Sequence, residues 1–97
     1  MADIFFHPEA QAEYETALAW YQARSGRAAT RFEAEVERVL ESIAQQPDSY
    51  PRYDEEHRFA LLMRLPYCIV YQVQPAGVCI VAVAHGSRAP GYWQGRT

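Results

Sequence analysis

The feature that most restricts the fold is a change in the spacing of apolar residues near position 57. Before it, apolar residues recur at helical spacing. Ala10, Tyr14, Ala17, Leu18 and Tyr21 make one stripe, and Phe32, Val36, Val39, Leu40 and Ile43 make a second. After it come runs rich in strand formers, Arg58 to Arg64, Tyr67 to Gln74 and Val78 to Ala84. An opening run, Ile4-Phe5-Phe6, reads as one more strand. The order is therefore β-α-α-β-β-β, an α+β fold. A helical hairpin should pack on one face of a mostly antiparallel sheet and leave the other face open.

Local signals place the boundaries. Pro8 suits the first position of a helix, and Glu9 and Glu13 suit the positive end of its dipole. Ser25-Gly26 should end that helix, and the second should run from about Ala28 to Gln46, stopped by Pro47. Arg31–Glu35 and Arg38–Glu41 are spaced to pair along it. Gln46 to Glu56 reads as loop, and Pro75-Ala76-Gly77 as a hairpin turn. Along the following strands, Tyr67, Ile69, Tyr71 and Val73 should share one face. His85 should share the other with Cys68. The segment from His85 to Gln94 has no regular pattern.

Ninety-seven residues, 49% of them hydrophobic, suffice for one domain over residues 1–97 with one core. The N-terminus has neither the basic start nor the long apolar run of a signal peptide, and no stretch approaches a membrane span. The expected location is the cytoplasm. Cys68 and Cys79 lack metal-ligand spacing and read as reduced thiols, with no metal or cofactor implied.

The net charge of −3 conceals a split. All twelve acidic residues precede His57, leaving −7 on residues 1–56 and +4 on residues 57–97. That balance suggests a C-terminal surface that meets an anionic partner.

Several motifs together resemble the RelE/ParE toxin family. They are Phe6-His7-Pro8-Glu9-Ala10, Trp20-Tyr21, Arg31-Phe32, Tyr50-Pro51-Arg52, the strand Leu65 to Val73, and the ending Val83 to Trp93. The resemblance implies a bacterial type II toxin, associated with plasmid stabilization and neutralised by a cognate antitoxin. ParE-like members inhibit DNA gyrase by binding. RelE-like members cleave mRNA on the ribosome, and some relatives bind an antitoxin without toxicity.

Three departures turn the expectation towards the ParE-like side. Cys68 stands where a RelE-like nuclease carries an arginine, the loop Asp54-Glu55-Glu56 is acidic where lysines would help, and the pI is near 5.5. The expected target contact is Arg88, Tyr92 and Trp93, with His85 and Arg64 in support, because arginine and aromatics dominate interface hot spots. Were the chain a nuclease instead, Arg88, Tyr92 and Arg64 would carry the chemistry. Trp93 has a competing role, folding back to cap the core. Trp20-Tyr21 reads as packing, with one of the pair facing away from the sheet.

Overall fold

A computed structural model describes residues 1–96. Strand β1 (Ile4–Phe6) leads into helix α1 (Pro8–Arg24) and helix α2 (Gly26–Gln45). Strands β2 (Arg58–Leu61), β3 (Tyr67–Gln74) and β4 (Gly77–His85) follow. The α+β fold and the β-α-α-β-β-β order are as expected. The sheet order is β1-β4-β3-β2, with β1 parallel to β4 and the other neighbours antiparallel.

The helices meet across a single residue. The Ser25 N–H donates to the Tyr21 carbonyl at 2.9 Å, and its Oγ accepts from the Ala28 N–H at 2.9 Å. One serine thus closes α1 and caps α2. Gly26 is the first residue of α2, two residues earlier than its sequence signals suggested. At the start of α1, Pro8 follows His7, whose Nδ1 accepts the Glu9 N–H at 3.1 Å.

Phe32, Val36, Val39 and Ile43 of α2 join Ala10, Ala17 and Tyr21 of α1 over Ile69, Tyr71, Ile80 and Val83 of the sheet. Rings from both layers interlock, with Phe32 stacked on Tyr14 and Tyr21 at 5.6 and 5.1 Å and edge-on to Tyr67 at 5.6 Å. Tyr21 is the buried member of its pair. Trp20 lies outside, under the Arg24 guanidinium at 3.5 Å.

Four expectations are corrected. Strand β2 ends at Leu61, because Leu62 to Pro66 form a turn in which the Leu62 N–H reaches the Tyr67 carbonyl at 3.0 Å. Arg64 sits in that turn with φ 61, not in a strand. On α2, Arg38 grips Glu35 with two hydrogen bonds of 2.8 and 2.7 Å, so neither expected pair forms as such. The other sheet face is not left open. Val70, Cys79, Val81, Ala82 and Ala84 form a second cluster there, covered by Trp93, with Tyr92 packed alongside.

The fourth correction concerns the face of His85. A register shift in the β3–β4 ladder makes Val70 oppose Ala82 while Tyr71 opposes Ile80. The extra residue, Val81, is a β-bulge. Val81 and Ala82 both point to the second cluster, and alternation then resumes one step out of phase. His85 consequently pairs with Tyr67 on the helix side, while Cys68 pairs with Ala84. An unbulged hairpin would have put His85 on the Cys68 face.

At the tip of this hairpin, Gly77 has φ 143, and a Cβ there would stand 2.6 Å from the Asp3 carbonyl oxygen. Only glycine lets β1 dock at this distance.

Candidate functional site

Strand β1 is short, and it covers β4 only over Val78 to Ile80. Beyond it the edge of β4 would be bare. Side chains close it. Glu13, on the buried side of α1, accepts the Val83 N–H at 3.0 Å. Arg96 returns from the tail to donate to the Val81 carbonyl at 3.2 Å. The same guanidinium forks onto both Glu13 oxygens at 3.0 and 3.1 Å, and the Tyr92 hydroxyl donates to Glu13 at 2.8 Å. Glu13 and Arg96 are only 16% and 12% exposed. A carboxylate and guanidinium this well enclosed are held by mutual charge-assisted hydrogen bonds.

This cluster orders the tail. Arg88 stands 3.9 Å above the Tyr92 ring, with Arg96 at 5.2 Å from it. Burial, reinforced by the Glu13 hydrogen bond and charge, pushes the Tyr92 phenol well above its ordinary range. Tyr92 therefore stays protonated, with its proton directed at Glu13. His85 ends β4, its ring edge-on to Tyr67 at 5.0 Å. Its Nδ1 accepts the Ser87 N–H at 3.0 Å and lies 2.8 Å from the Ser87 hydroxyl. The imidazole thus fixes the turn that presents Arg88.

A groove of about 400 Å³ runs between α1 and the end of β4, lined by Glu9, Glu13, Tyr67, His85, Arg88 and Arg96. On the opposite sheet face a more apolar hollow of about 290 Å³ includes Phe59, Leu61, Cys68 and Pro90. His85 and Arg88 line both, so this turn straddles the rim between the faces. Burial raises the Cys68 thiol above its usual range, away from a reactive thiolate.

Trp93 forms part of the wall of this hollow while presenting little surface. It is 3% exposed and packs edge-on to Tyr53 at 4.8 Å and His57 at 4.7 Å. The burial fits the capping role that the sequence also allowed. Behind it, Asp54 braces the acidic loop. It accepts from the Glu56 and His57 N–H groups at 2.8 Å each and from Gln94 at 3.2 Å. His57 Nδ1 lies 2.9 and 3.0 Å from the two Asp54 oxygens. Burial alone would raise the Asp54 pKa, but these hydrogen bonds together bring it down to about 2.

Four of the five expected residues come together. His85, Arg88, Tyr92 and Trp93 all line the apolar hollow, His85 and Arg88 also line the first groove, and Arg64 lies apart in another groove beside Arg31 and Arg38. Glu13 and Arg96 were missed as site residues. Glu13 had a signal, since Ala10, Glu13 and Ala17 lie three and four residues apart, placing a carboxylate in the buried stripe. Among the described residues no group of three or more His, Cys, Asp or Glu is placed to hold a metal, and no helix is long and apolar enough to cross a membrane.

A search of curated proteins returns no match to the chain. Among solved structures, a chain described as "Chromosomal ParDE TA system from P. aeruginosa" is similar with a TM-score of 0.69. The likeness covers 88% of this chain and 96% of that one at 21% identity, a likeness of fold. The family model described as ParE toxin of the type II toxin–antitoxin system, parDE, matches residues 4–90. The chain belongs to the ParE toxin family of type II toxin–antitoxin systems.

Proposed function

We propose that this ParE-family toxin inhibits DNA gyrase by binding it, without chemistry of its own, and is neutralised by a cognate antitoxin in the cytoplasm. The contact is the Arg88–Tyr92 platform, with His85 holding the turn beneath Arg88. The observation that supports binding over catalysis is the commitment of Tyr92. Its hydroxyl donates to Glu13 at 2.8 Å, and burial keeps it protonated. RNA cleavage needs one group to take the 2′-hydroxyl proton and another to protonate the leaving oxygen. Tyr92 is tied to Glu13, Cys68 is a half-buried thiol raised above its usual range, and the His85 ring packs on Tyr67 and is engaged by Ser87. What remains at the rim, a guanidinium stacked on a ring, suits recognition of a protein surface.

Two parallel assays test this reading. The purified toxin should inhibit gyrase supercoiling and leave in vitro translation intact. Ribosome-dependent mRNA cleavage would support a RelE-like nuclease instead, and silence in both assays would support a relative that only binds antitoxin. Co-expression with the adjacent reading frame should yield a stable complex with a small partner.

A further inference from the structure

Arg64 is the sequence candidate that the C-terminal groove does not absorb. It lies in the turn between β2 and β3, in a groove of about 320 Å³ against α2, with Arg31, Glu35, Arg38, Met63 and Leu65. The turn is pinned to the helix. The Met63 N–H donates to Glu35 Oε2 at 2.6 Å, and Arg38 forks onto the same carboxylate. The Arg38 hydrogen bonds, with the Met63 N–H, hold Glu35 below the usual carboxylate range despite partial burial.

Three arginines thus line a groove that holds one carboxylate, and Arg38 uses it. Among the described residues neither Arg31 nor Arg64 lies within salt-bridge distance of a carboxylate. Arg64 also has the left-handed φ of 61, a strained backbone for a side-chain-bearing residue. Met63 is 64% exposed at the rim, with the half-buried Leu65 beside it. The groove is cationic with an apolar lip, and it shares no lining residue with the groove that holds His85 and Arg88.

We propose that this groove docks an acidic amphipathic segment of a partner protein, with carboxylates on Arg31 and Arg64 and apolar side chains against Met63 and Leu65. Charge complementarity selects the occupant. Arg38 on Glu35 already shows the guanidinium–carboxylate geometry on this surface. A nucleic acid would need a continuous cationic track. Here Glu33, Glu37 and Glu41 share α2 with the arginines, and the chain carries −3 overall. The positive surplus is local, matching a short segment rather than a polyanion.

The test is fluorescence anisotropy with three labelled probes: a short glutamate–leucine peptide, its glutamine–leucine counterpart, and a single-stranded RNA of similar length. Arg64→Gly combined with Arg31→Ala removes both unpaired cations. The glycine also relieves the left-handed strain, so Arg64→Gly alone should melt no lower than the parent, which separates lost binding from lost folding. The glutamate peptide should bind the parent chain, bind the double variant about tenfold more weakly, and release in high salt. Lack of binding to the parent, equal binding to the folded double variant, equal binding of the glutamine peptide, or preference for RNA would each overturn the proposal.

Discussion

Replacing Glu13 by alanine should unfasten the tail from the sheet. Glu13 accepts the Val83 N–H, the Tyr92 hydroxyl and two Arg96 N–H groups, at 2.8 to 3.1 Å. Alanine would strand three donor groups, one of them a cation only 12% exposed. Breaking one half of a fully buried ion pair costs roughly 3–5 kcal/mol, and each unsatisfied neutral donor about 1 kcal/mol or more. Arg96 is not fully enclosed, and Glu9 stands 3.8 Å away to receive it. The expected loss is therefore about 3 kcal/mol, a large share of the roughly 5–15 kcal/mol available to a domain. Urea titration followed by circular dichroism measures it, and amide exchange at Val83 should quicken in parallel. Glu13→Gln can still accept hydrogen bonds but lacks the charge, so it should lose about half as much. The reasoning fails if Glu13→Ala lies within about 0.5 kcal/mol of the parent, or if Glu9→Ala costs as much.

Asp54 supplies a pH dependence. Its folded pKa of about 2 lies below its unfolded value near 3.8, so its stabilisation is complete above that value and is lost as pH falls through about 2. Asp54→Asn should lower stability at neutral pH by about 1–2 kcal/mol and flatten the acid limb between those two values, read from urea midpoints across pH. Trp93→Ala should cost about 3–5 kcal/mol through the lost cover of the second cluster, seen as a lower melting temperature. Arg88→Ala should melt within about 0.5 kcal/mol of the parent yet lose most inhibition in the supercoiling assay. Gly77→Ala should cost about 1–3 kcal/mol, measured by thermal unfolding, since its Cβ would meet the Asp3 carbonyl at 2.6 Å.

The local elements were legible because their signals are local. Pro8, the stripe from Phe32 to Ile43, and the strand from Tyr67 to Gln74 each declare themselves within a few residues. Boundaries shifted where one residue served two purposes, as Ser25 does between the helices, or where a turn took over part of an apolar run, as at Leu62 to Pro66. The candidate site was harder to read. Arg88 and Tyr92 were found through their place in the ending motif, but the carboxylate that anchors Tyr92 lies on the first helix, 79 residues earlier.

The sequence by itself determined the order of elements, the two-layer arrangement and the family likeness, since periodicity and motifs need no long-range contact to be read. Tertiary structure decided which residues face what. The bulge at Val81 shifts the alternation of β4 by one residue, turning His85 away from Cys68 towards Tyr67 and the helices. The bare edge left by a three-residue β1 gives Glu13 and Arg96 their roles. Both follow from backbone pairing between distant segments, where one residue of register or one missing strand reassigns every side chain beyond it.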